Sequence, residues 1–231
     1  MPALVVFDLD GTLVDSSQDL ADSGNALLAS YGQTGLPRDA IVRMVGDGAR
    51  ELVRRLLAAA GVDVPLDAAL ERFLALYGDR LLATTRPYQG VEDVLDTLGS
   101  SGCRLAVLTN KPADATLRVL EGLALDRYFA DVIGGDGPFP RKPDPQGLAH
   151  LIARAGTVAS ETMMVGDSVA DLRTAHAASV PACLARYGFG FAQVPADELA
   201  GARYLIDSPV QLLDVLITTT KTRRHEGTKD V

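Results

Sequence analysis

Short apolar runs alternate along the chain with segments in which apolar residues recur at helical spacing. Three runs, over residues 3–7, 105–108 and 162–165, are each followed at once by polar residues, and two weaker runs cover 131–133 and 180–184. Runs of about 4–8 apolar residues between helical segments are typical of buried parallel strands. The helical stripes between them include Ala115, Leu117, Leu120 and Leu123. Strands that alternate with helices predict an α/β fold with a doubly wound parallel sheet, a Rossmann-like core.

Residues 15–84 interrupt this alternation, because they contain no convincing strand. Their apolar residues form three helical stripes separated by turns that contain Gly and Pro. We therefore predict an all-helical cap domain over 15–84, inserted after the first strand of a core formed by 1–14 and 85–217. An insertion at the carboxyl end of a strand overhangs the ligand site of such a sheet, as a lid does. The polar segment 218–231 is predicted to be a flexible tail.

The composition is that of an ordinary globular protein. Of 231 residues, 47% are hydrophobic and 23% are charged, which argues against a wholly disordered chain. Acidic residues outnumber basic ones by 30 to 22, and no basic block is interleaved with aromatic residues, so nucleic acid is not an expected partner. A small anionic substrate is compatible with the net charge of -8 if the site itself supplies positive charge or a metal.

Membrane association and secretion are not expected from the sequence. No apolar stretch approaches the roughly 20 residues that a membrane-spanning helix needs. The N-terminus lacks the charged segment and the cleavage site of a signal peptide, so a cytoplasmic location is expected. The two cysteines, Cys103 and Cys183, lie in apolar runs and are expected to be buried and reduced. An acidic surface without a marked apolar patch is compatible with a monomer or a homodimer.

The strongest chemical signal is the segment Asp8-Leu9-Asp10-Gly11-Thr12, which directly follows the first apolar run. At ordinary residue frequencies, Asp-x-Asp-Gly-Thr is expected by chance in about one in several hundred chains of this length. A turn after the strand, which Gly11 permits, lets the first carboxylate meet a metal while the second swings toward a substrate.

This segment resembles the first motif of the haloacid dehalogenase superfamily, and three further motifs of that superfamily follow in the same order. Thr109 ends a hydrophobic run, as the second motif does. Lys142 lies in a Pro-rich loop and resembles the third motif, while Asp167 and Asp171 resemble the acidic fourth motif. The four motifs together span the whole predicted core.

The resemblance implies a phosphatase that forms a covalent aspartyl-phosphate and uses Mg²⁺. Asp8 is the expected nucleophile, and Asp10 is the expected general acid and base. The expected Mg²⁺ ligands are Asp8, the backbone carbonyl of Asp10, and Asp167. Lys142 is expected to offset negative charge in catalysis, and Thr109 and the backbone of Asn110 to hydrogen-bond the phosphate oxygens of the substrate. The supporting residues expected around them are Asp171, Ser168, Gly11 and Thr12.

Features of the sequence distinguish between branches of the superfamily. Dehalogenases keep no acid at the position of Asp10, because a halide leaves without a proton. Phosphonoacetaldehyde hydrolases use a lysine of the cap, and residues 15–84 contain no lysine. β-Phosphoglucomutases carry a histidine at the cap entrance where this chain has Leu20, which disfavours a mutase.

The segment Gly46-Asp47-Gly48-Ala49-Arg50 is similar to the cap segment of phosphoglycolate phosphatases. A Gly-rich turn that opens a helix offers free N–H groups and the positive end of the helix dipole to an anion. Gly46 and Gly48 are therefore expected to bind the carboxylate of 2-phosphoglycolate, and Arg50 to add a bidentate contact. Asp47 departs from that family, which often has Asn there. A carboxylate beside the substrate's own carboxylate is unfavourable unless it points away.

Two other classes of function stay open on the sequence. Another phosphoryl enzyme, such as a pyrophosphatase, a nucleotidase, a sugar-phosphate phosphatase or a phosphomutase, would use the same core residues. A non-catalytic sensor of a small phosphorylated metabolite would also keep the fold, although a pure binder needs no acid at Asp10. The three histidines lack metal-ligand spacing, and no nucleoside-triphosphate-binding loop occurs. A histidine-bound zinc site and a P-loop enzyme are therefore disfavoured.

Overall fold

The computed structural model describes residues 1–216, so the tail predicted over 218–231 lies outside the described residues. Six parallel strands form one sheet in the order β5-β4-β1-β6-β7-β8. These strands are β1 (Leu4–Phe7), β4 (Arg104–Leu108), β5 (Asp131–Ile133), β6 (Thr162–Gly166), β7 (Ala182–Ala185) and β8 (Tyr204–Ile206). Two further strands, β2 (Val14–Asp15) and β3 (Arg86–Pro87), form a separate antiparallel pair. The prediction of a parallel, doubly wound sheet is confirmed.

The central strands are apolar throughout because both faces of the sheet are covered by helices. Val5 and Phe7 of β1 face one side, together with buried residues of α5 (Val91–Ser100) and α6 (Ala113–Gly122). The alternate residues of β1 face the other side, where α7 (Gln146–Ala155) and α8 (Val169–Ala177) pack. This arrangement places β1 in the middle of a three-layer core.

Two details of the core differ from the sequence-based predictions. Leu117 is 45% exposed on α6, whereas Val119 is buried, so the apolar stripe of this helix was misplaced. A helical pattern that contains several alanines and leucines is satisfied by more than one face, and only the packing partner selects the buried one. The run at 180–184 also forms its strand slightly later, over Ala182–Ala185.

Four helices lie between β2 and β3. They are α1 (Ser17–Ser30), α2 (Arg38–Val42), α3 (Ala49–Ala60) and α4 (Leu66–Gly78), and α1 packs against the other three. Helix α2 has five residues, too few for a periodic pattern in the sequence to reveal it. Strand β2 leads into the four helices and β3 leads out of them. The two strands lie side by side, because Val14 pairs with Pro87 and Asp15 with Arg86. That this helical unit moves as a cap domain stays a prediction.

The two cysteines are buried, as the sequence predicts. Cys103 and Cys183 are both buried and unpaired with each other. Among the described residues, no helix combines the length and the apolar character needed to cross a membrane.

Candidate active site

The polar residues singled out in the sequence converge at the carboxyl edge of the sheet. Asp8, Thr109 and Asp167 directly follow the neighbouring strands β1, β4 and β6, and the register aligns Phe7 with Val107 and Val165. Because parallel strands end at the same edge, the three side chains are brought together at the point where the strand order reverses. A cavity of about 280 Å³ lies there, lined by residues of both the sheet edge and the helical unit.

The turn after β1 depends on Gly11, which adopts a φ of +88°. A Cβ atom at this position would lie 2.0 Å from the Asp167 side chain, so no other residue fits without displacing that carboxylate. The next residue, Thr12, is buried, and its backbone carbonyl accepts a hydrogen bond of 3.0 Å from the Tyr187 hydroxyl. Gly11 and Thr12 thus shape the loop that carries Asp10.

Three buried carboxylates, from Asp8, Asp167 and Asp171, place oxygens within 4.8 Å of one another. Lys142 Nζ lies 2.5 Å from Asp171 Oδ1 and 2.9 Å from Asp8 Oδ1. Asp171 also accepts hydrogen bonds from the backbone N–H and the hydroxyl of Ser168, within a capping box that begins α8. Asp167 accepts one from the backbone N–H of Gly190 at 2.7 Å.

The electrostatics of this cluster follow from burial. Burial raises the pKa of Asp8 to about 6, and the nearby Asp171 adds to the rise while Lys142 opposes it. The pKa of Asp167 is also raised well above its usual range by burial, with Asp8 and Asp171 contributing repulsion. Burial by itself would lower the pKa of Lys142, but attraction to Asp171 and Asp8 outweighs burial and raises it. One lysine therefore faces three carboxylates.

These residues fit a divalent metal ion. Asp8 Oδ1 is buried and has no hydrogen-bond partner. Lys142 Nζ lies 2.9 Å away, but the two groups are not aligned for a hydrogen bond. Three carboxylates against one ammonium leave two excess negative charges, which a divalent cation would neutralise. Carboxylate oxygens are also the ligands that Mg²⁺ prefers in proteins. Asp8 and Asp167 of the predicted set belong to this cluster, and the side chain of Asp10 does not.

Asn110 connects the lysine loop to both halves of the molecule. Its side-chain oxygen accepts a hydrogen bond of 2.9 Å from the backbone N–H of Lys142. Its amide nitrogen donates to the carbonyls of Lys142 and of Gly46, at 3.0 and 2.9 Å. The Lys142–Pro143 peptide bond is cis. Asn110 thereby fixes the position of Lys142 and joins the sheet edge to the loop before α3.

Asp10 lies beside the carboxylate cluster and has its own partners. The Ser16 hydroxyl donates to its Oδ1 at 2.6 Å, and Lys111 Nζ lies 3.0 and 3.1 Å from its two oxygens. Lys111 also contacts the Tyr77 hydroxyl of α4 and lies 4.5 Å from the centre of the Tyr77 ring. The carboxylate expected to act as acid and base is thus held by the sheet edge and approached from the helical unit.

Only some residues of the segment predicted to bind the substrate carboxylate line the cavity. Gly46 and Gly48 line the cavity, and Gly48 is the N-cap of α3. The structure does not bring Arg50 to the cavity: its guanidinium pairs with Asp67 at 2.7 Å, and Arg50 is not among the residues that line the cavity. Successive side chains of a helix point in different directions around its axis, and Arg50 lies on the side of α3 that faces α4.

The concern raised by Asp47 is resolved by Arg55, which lies eight residues further along the chain, in α3. Arg55 forms an ion pair with Asp47 and also donates to the Met44 carbonyl at 2.8 Å. Both Asp47 and Arg55 line the cavity. The negative charge of Asp47 is therefore neutralised locally and does not stand alone against an anionic ligand.

Comparison with known proteins decides the family. The family model of haloacid dehalogenase-like hydrolases matches residues 5–185, well over half of the chain. The chain belongs to the haloacid dehalogenase-like hydrolases.

Relatives of this hydrolase carry a consistent name. It is 44% identical over 196 residues to a phosphoglycolate phosphatase of Rhodospirillum rubrum, covering 82% of this chain and 81% of the relative. It is 39% identical to a phosphoglycolate phosphatase of Caulobacter vibrioides, covering 94% and 91% of the two chains. The crystal structure of a predicted phosphoglycolate phosphatase from Haemophilus somnus superposes with a TM-score of 0.87 at 28% identity, covering 93% and 97%. The predicted resemblance to phosphoglycolate phosphatases is confirmed, and the hydrolase is an enzyme of the phosphatase type.

Sequence reasoning missed several residues of this hydrolase's site. Lys111 follows Thr109 and Asn110 directly, and its place after a strand end was the signal that would have found it. Tyr77 and Phe73 of α4 also line the cavity, but in the sequence they belong to an ordinary apolar helical stripe. Gly190 reaches Asp167 from a distant loop, and no local pattern predicts that contact.

Proposed function

We propose that this hydrolase is a Mg²⁺-dependent phosphatase that cleaves small phosphate monoesters through an aspartyl-phosphate, with 2-phosphoglycolate as the favoured substrate. The observation that carries the proposal is the cluster of Asp8, Asp167 and Asp171 around the single ammonium of Lys142, with a fourth carboxylate, Asp10, beside the same cavity. A nucleophile and a proton donor on one short loop suit phosphoryl transfer in two steps.

In the first step, an oxygen of Asp8 attacks the phosphorus atom and the bond to the ester oxygen breaks. Asp10 gives its proton to the leaving alkoxide, which departs as an alcohol. In the second step, a water oxygen attacks the phosphorus of the aspartyl-phosphate and passes a proton to Asp10, and the bond to Asp8 breaks. Splitting the reaction in this way divides one very slow hydrolysis into two faster steps.

Positive charge is needed because Asp8 and the phosphate dianion repel one another. Lys142 supplies one such charge at 2.9 Å from Asp8. Asp8, Asp167 and the backbone carbonyl of Asp10 would hold Mg²⁺, which when bound would supply two more positive charges beside the phosphate. Thr109 lines the same cavity as Asp8, and in this proposal its hydroxyl donates a hydrogen bond to a phosphate oxygen.

The preference for 2-phosphoglycolate is supported by the relatives' names and by the size of the cavity. Relatives that share 36–44% of their residues with this chain are named phosphoglycolate phosphatase. A cavity of about 280 Å³ has room for a metabolite of a few heavy atoms and is at the small end of ligand sites.

The test is phosphate release from a panel of monoesters, with Mg²⁺ and with a chelator, by the wild type and by Asp8→Asn. The panel contains 2-phosphoglycolate, pyrophosphate, glucose phosphates, a nucleoside monophosphate and an aryl phosphate. Asp8→Asn is expected to lose turnover completely, while Asp114→Asn, on the exposed face of α6, is expected to match the wild type. Acid-quenched wild type is expected to carry a phosphoryl group on the peptide that contains Asp8.

Each part of the proposal can fail separately. Turnover retained by Asp8→Asn would refute the covalent mechanism. Equal turnover with and without Mg²⁺ would refute the metal requirement. A flat panel, or one led by another ester, would remove 2-phosphoglycolate as the substrate and leave the chemistry standing. Binding of phosphate esters without any hydrolysis would favour the sensor.

A further inference from the structure

A substrate such as 2-phosphoglycolate has two anionic groups, a phosphate and a carboxylate. The positive groups described so far face the phosphate, so the carboxylate needs a positive group of its own. Among the described residues, three basic side chains line the cavity: Arg43, Arg55 and Lys111. Arg55 is occupied by Asp47, by Glu51 and by the Met44 carbonyl. Arg43 is exposed, so solvent screens its charge.

Lys111 differs from these arginines because it is buried at the junction of the sheet edge and the helical unit. Its side chain is 3% exposed, and burial strengthens the attraction between its ammonium and any anion in the cavity. Its two contacts come from different halves of the molecule: Asp10 belongs to the loop after β1, and Tyr77 belongs to α4.

The hydrogen-bonding capacity around Lys111 is not exhausted. An ammonium can only donate, so the Tyr77 hydroxyl accepts from Lys111 and keeps its own hydrogen for a second partner. Among the described residues, no group accepts that hydrogen. Lys111 has three hydrogens to donate. Its nearly equal distances of 3.0 and 3.1 Å to the two Asp10 oxygens are those of one hydrogen shared by a carboxylate, and a second hydrogen faces Tyr77, so the third remains. A lysine and a tyrosine that both have a donor left over, side by side on a cavity wall, are the kind of pair that binds a carboxylate.

The position of the carboxylate within 2-phosphoglycolate also indicates that it would lie near Lys111. In the proposed reaction, Asp10 donates to the ester oxygen, so that oxygen lies next to Asp10. In 2-phosphoglycolate the carboxylate carbon is two bonds beyond the ester oxygen. Lys111 Nζ lies 3.0 Å from Asp10 Oδ1, so it is within reach of a group at that position.

We propose that Lys111 and Tyr77 form the subsite for the substrate's second anionic group, a carboxylate two bonds beyond the ester oxygen. This inference rests on the proposed phosphatase function and deepens it. Lys111 binds the carboxylate while it retains Asp10, and the Tyr77 hydroxyl donates its remaining hydrogen to the same group. The subsite selects phosphate esters of short 2-hydroxy acids, and it takes one residue from the sheet edge and one from the helical unit.

The experiment compares 2-phosphoglycolate with ethyl phosphate, which has a methyl group where 2-phosphoglycolate has its carboxylate. The quantity measured is the ratio of kcat/KM for the two esters in the wild type, Lys111→Met, Lys111→Arg and Tyr77→Phe. We expect the ratio to fall by about 10- to 150-fold in Lys111→Met, as for loss of one hydrogen bond to a charged group. In Tyr77→Phe it is expected to fall by about 3- to 10-fold. Lys111→Arg is expected to keep more of the ratio than Lys111→Met.

A matched control is Arg72→Met, which removes a positive charge from the exposed face of the helix that carries Tyr77. Its ratio is expected to equal that of the wild type. The second readout is calorimetric binding of 2-phosphoglycolate to Asp8→Asn, alone and combined with Lys111→Met. Affinity is expected to fall in the double variant by about the same factor as the ratio of kcat/KM. A purely structural role for Lys111 would lower turnover of both esters equally and leave their ratio unchanged.

The outcomes separate this inference from the proposed function. A wild type that prefers 2-phosphoglycolate, with the preference intact in Lys111→Met and Tyr77→Phe, overturns the subsite alone. A wild type without that preference overturns both the substrate and the subsite. A wild type that hydrolyses neither these two esters nor any other ester of the panel overturns the phosphatase, and the calorimetric comparison then decides the subsite on its own. If Lys111→Met does not fold, Tyr77→Phe and Lys111→Arg carry the comparison.

Discussion

Replacing Asp19 by Asn tests how the helical unit is attached to the sheet. Asp19 is 1% exposed on α1, 65 residues before the chain that returns to β3. Its carboxylate accepts hydrogen bonds from the backbone N–H and the hydroxyl of both Thr84 and Thr85, at 2.6–3.0 Å. These four hydrogen bonds to one buried carboxylate connect the first helix of the helical unit to the segment that follows its last helix.

The magnitude follows from what an amide can accept. Asn keeps one oxygen, so one pair of donors would face an NH₂ group instead. A threonine hydroxyl can rotate, but a backbone N–H cannot, and leaving one buried N–H unsatisfied costs about 1–3 kcal/mol. The remaining bonds also change from charged to neutral, so the expected total is about 3 kcal/mol. At about 2–4 °C for each kcal/mol, Tm should fall by about 6–12 °C.

The assay is urea unfolding followed by circular dichroism, with Asp22→Asn as the control. Asp22 is exposed on the same helix and accepts one hydrogen bond, from Gln18. Its substitution should change the free energy of unfolding by less than about 0.5 kcal/mol. A loss below about 1 kcal/mol in Asp19→Asn would refute the reasoning, because it would mean that the four donors find other acceptors.

The pH dependence of the same pair of proteins gives an independent check. Burial opposes ionisation of Asp19, but the hydrogen bonds from Thr84 and Thr85 outweigh it and hold the pKa below its ordinary value of 3.8. The unfolded chain therefore binds the proton first as pH falls, so the carboxylate's contribution is complete above about pH 5 and is lost as pH falls through the folded pKa. The stability gap between wild type and Asp19→Asn should shrink below about pH 4. A gap that stayed constant from pH 7 to pH 3 would contradict this assignment.

Three further substitutions test the site. Gly11→Ala would place a Cβ 2.0 Å from the Asp167 carboxylate, and steady-state kinetics should show kcat/KM falling by about 100-fold or more; unchanged kinetics would refute the steric argument. Lys142→Met leaves buried carboxylates without a cation, so chelator-treated protein should lose about 3–5 kcal/mol in urea unfolding and recover part of it with Mg²⁺. Undiminished stability would count against that ion-pair cluster. Arg50→Ala removes an exposed ion pair with Asp67 and should change kcat/KM for 2-phosphoglycolate by less than about two-fold; a ten-fold loss for this ester alone would place Arg50 at the substrate.

The core of the fold was predictable because its signals are local. A strand covered on both faces must be apolar at consecutive positions, and that pattern is visible without knowledge of the partners. The same pattern located the site: residues that directly follow β1, β4 and β6 share one sheet edge whatever the details of packing. Asp8, Thr109 and Asp167 were found in this way, and all three line the cavity.

The helical unit was predictable as a block of helices, but the direction of individual side chains was not. Arg50 and Arg55 both follow the Gly-rich turn in α3, and nothing local tells which one faces the cavity. The packing of α3 on α4 brings Arg50 to Asp67 and leaves Arg55 on the cavity side with Asp47. The rotation of a short helix about its own axis is set by contacts with residues far along the chain.

The sequence by itself determined the parallel sheet, the insertion of helices after the first strand, and the ordered set of acidic, hydroxyl and basic residues at one edge. Each of these depends on residue type and on spacing along the chain. Only the tertiary structure decided that Lys111 faces Asp10, that Tyr77 of α4 meets it, and that Gly190 holds Asp167. Those contacts join residues 23 to 101 positions apart. Such partners are selected when separate elements pack together, and this selection leaves no periodic or local trace in the sequence.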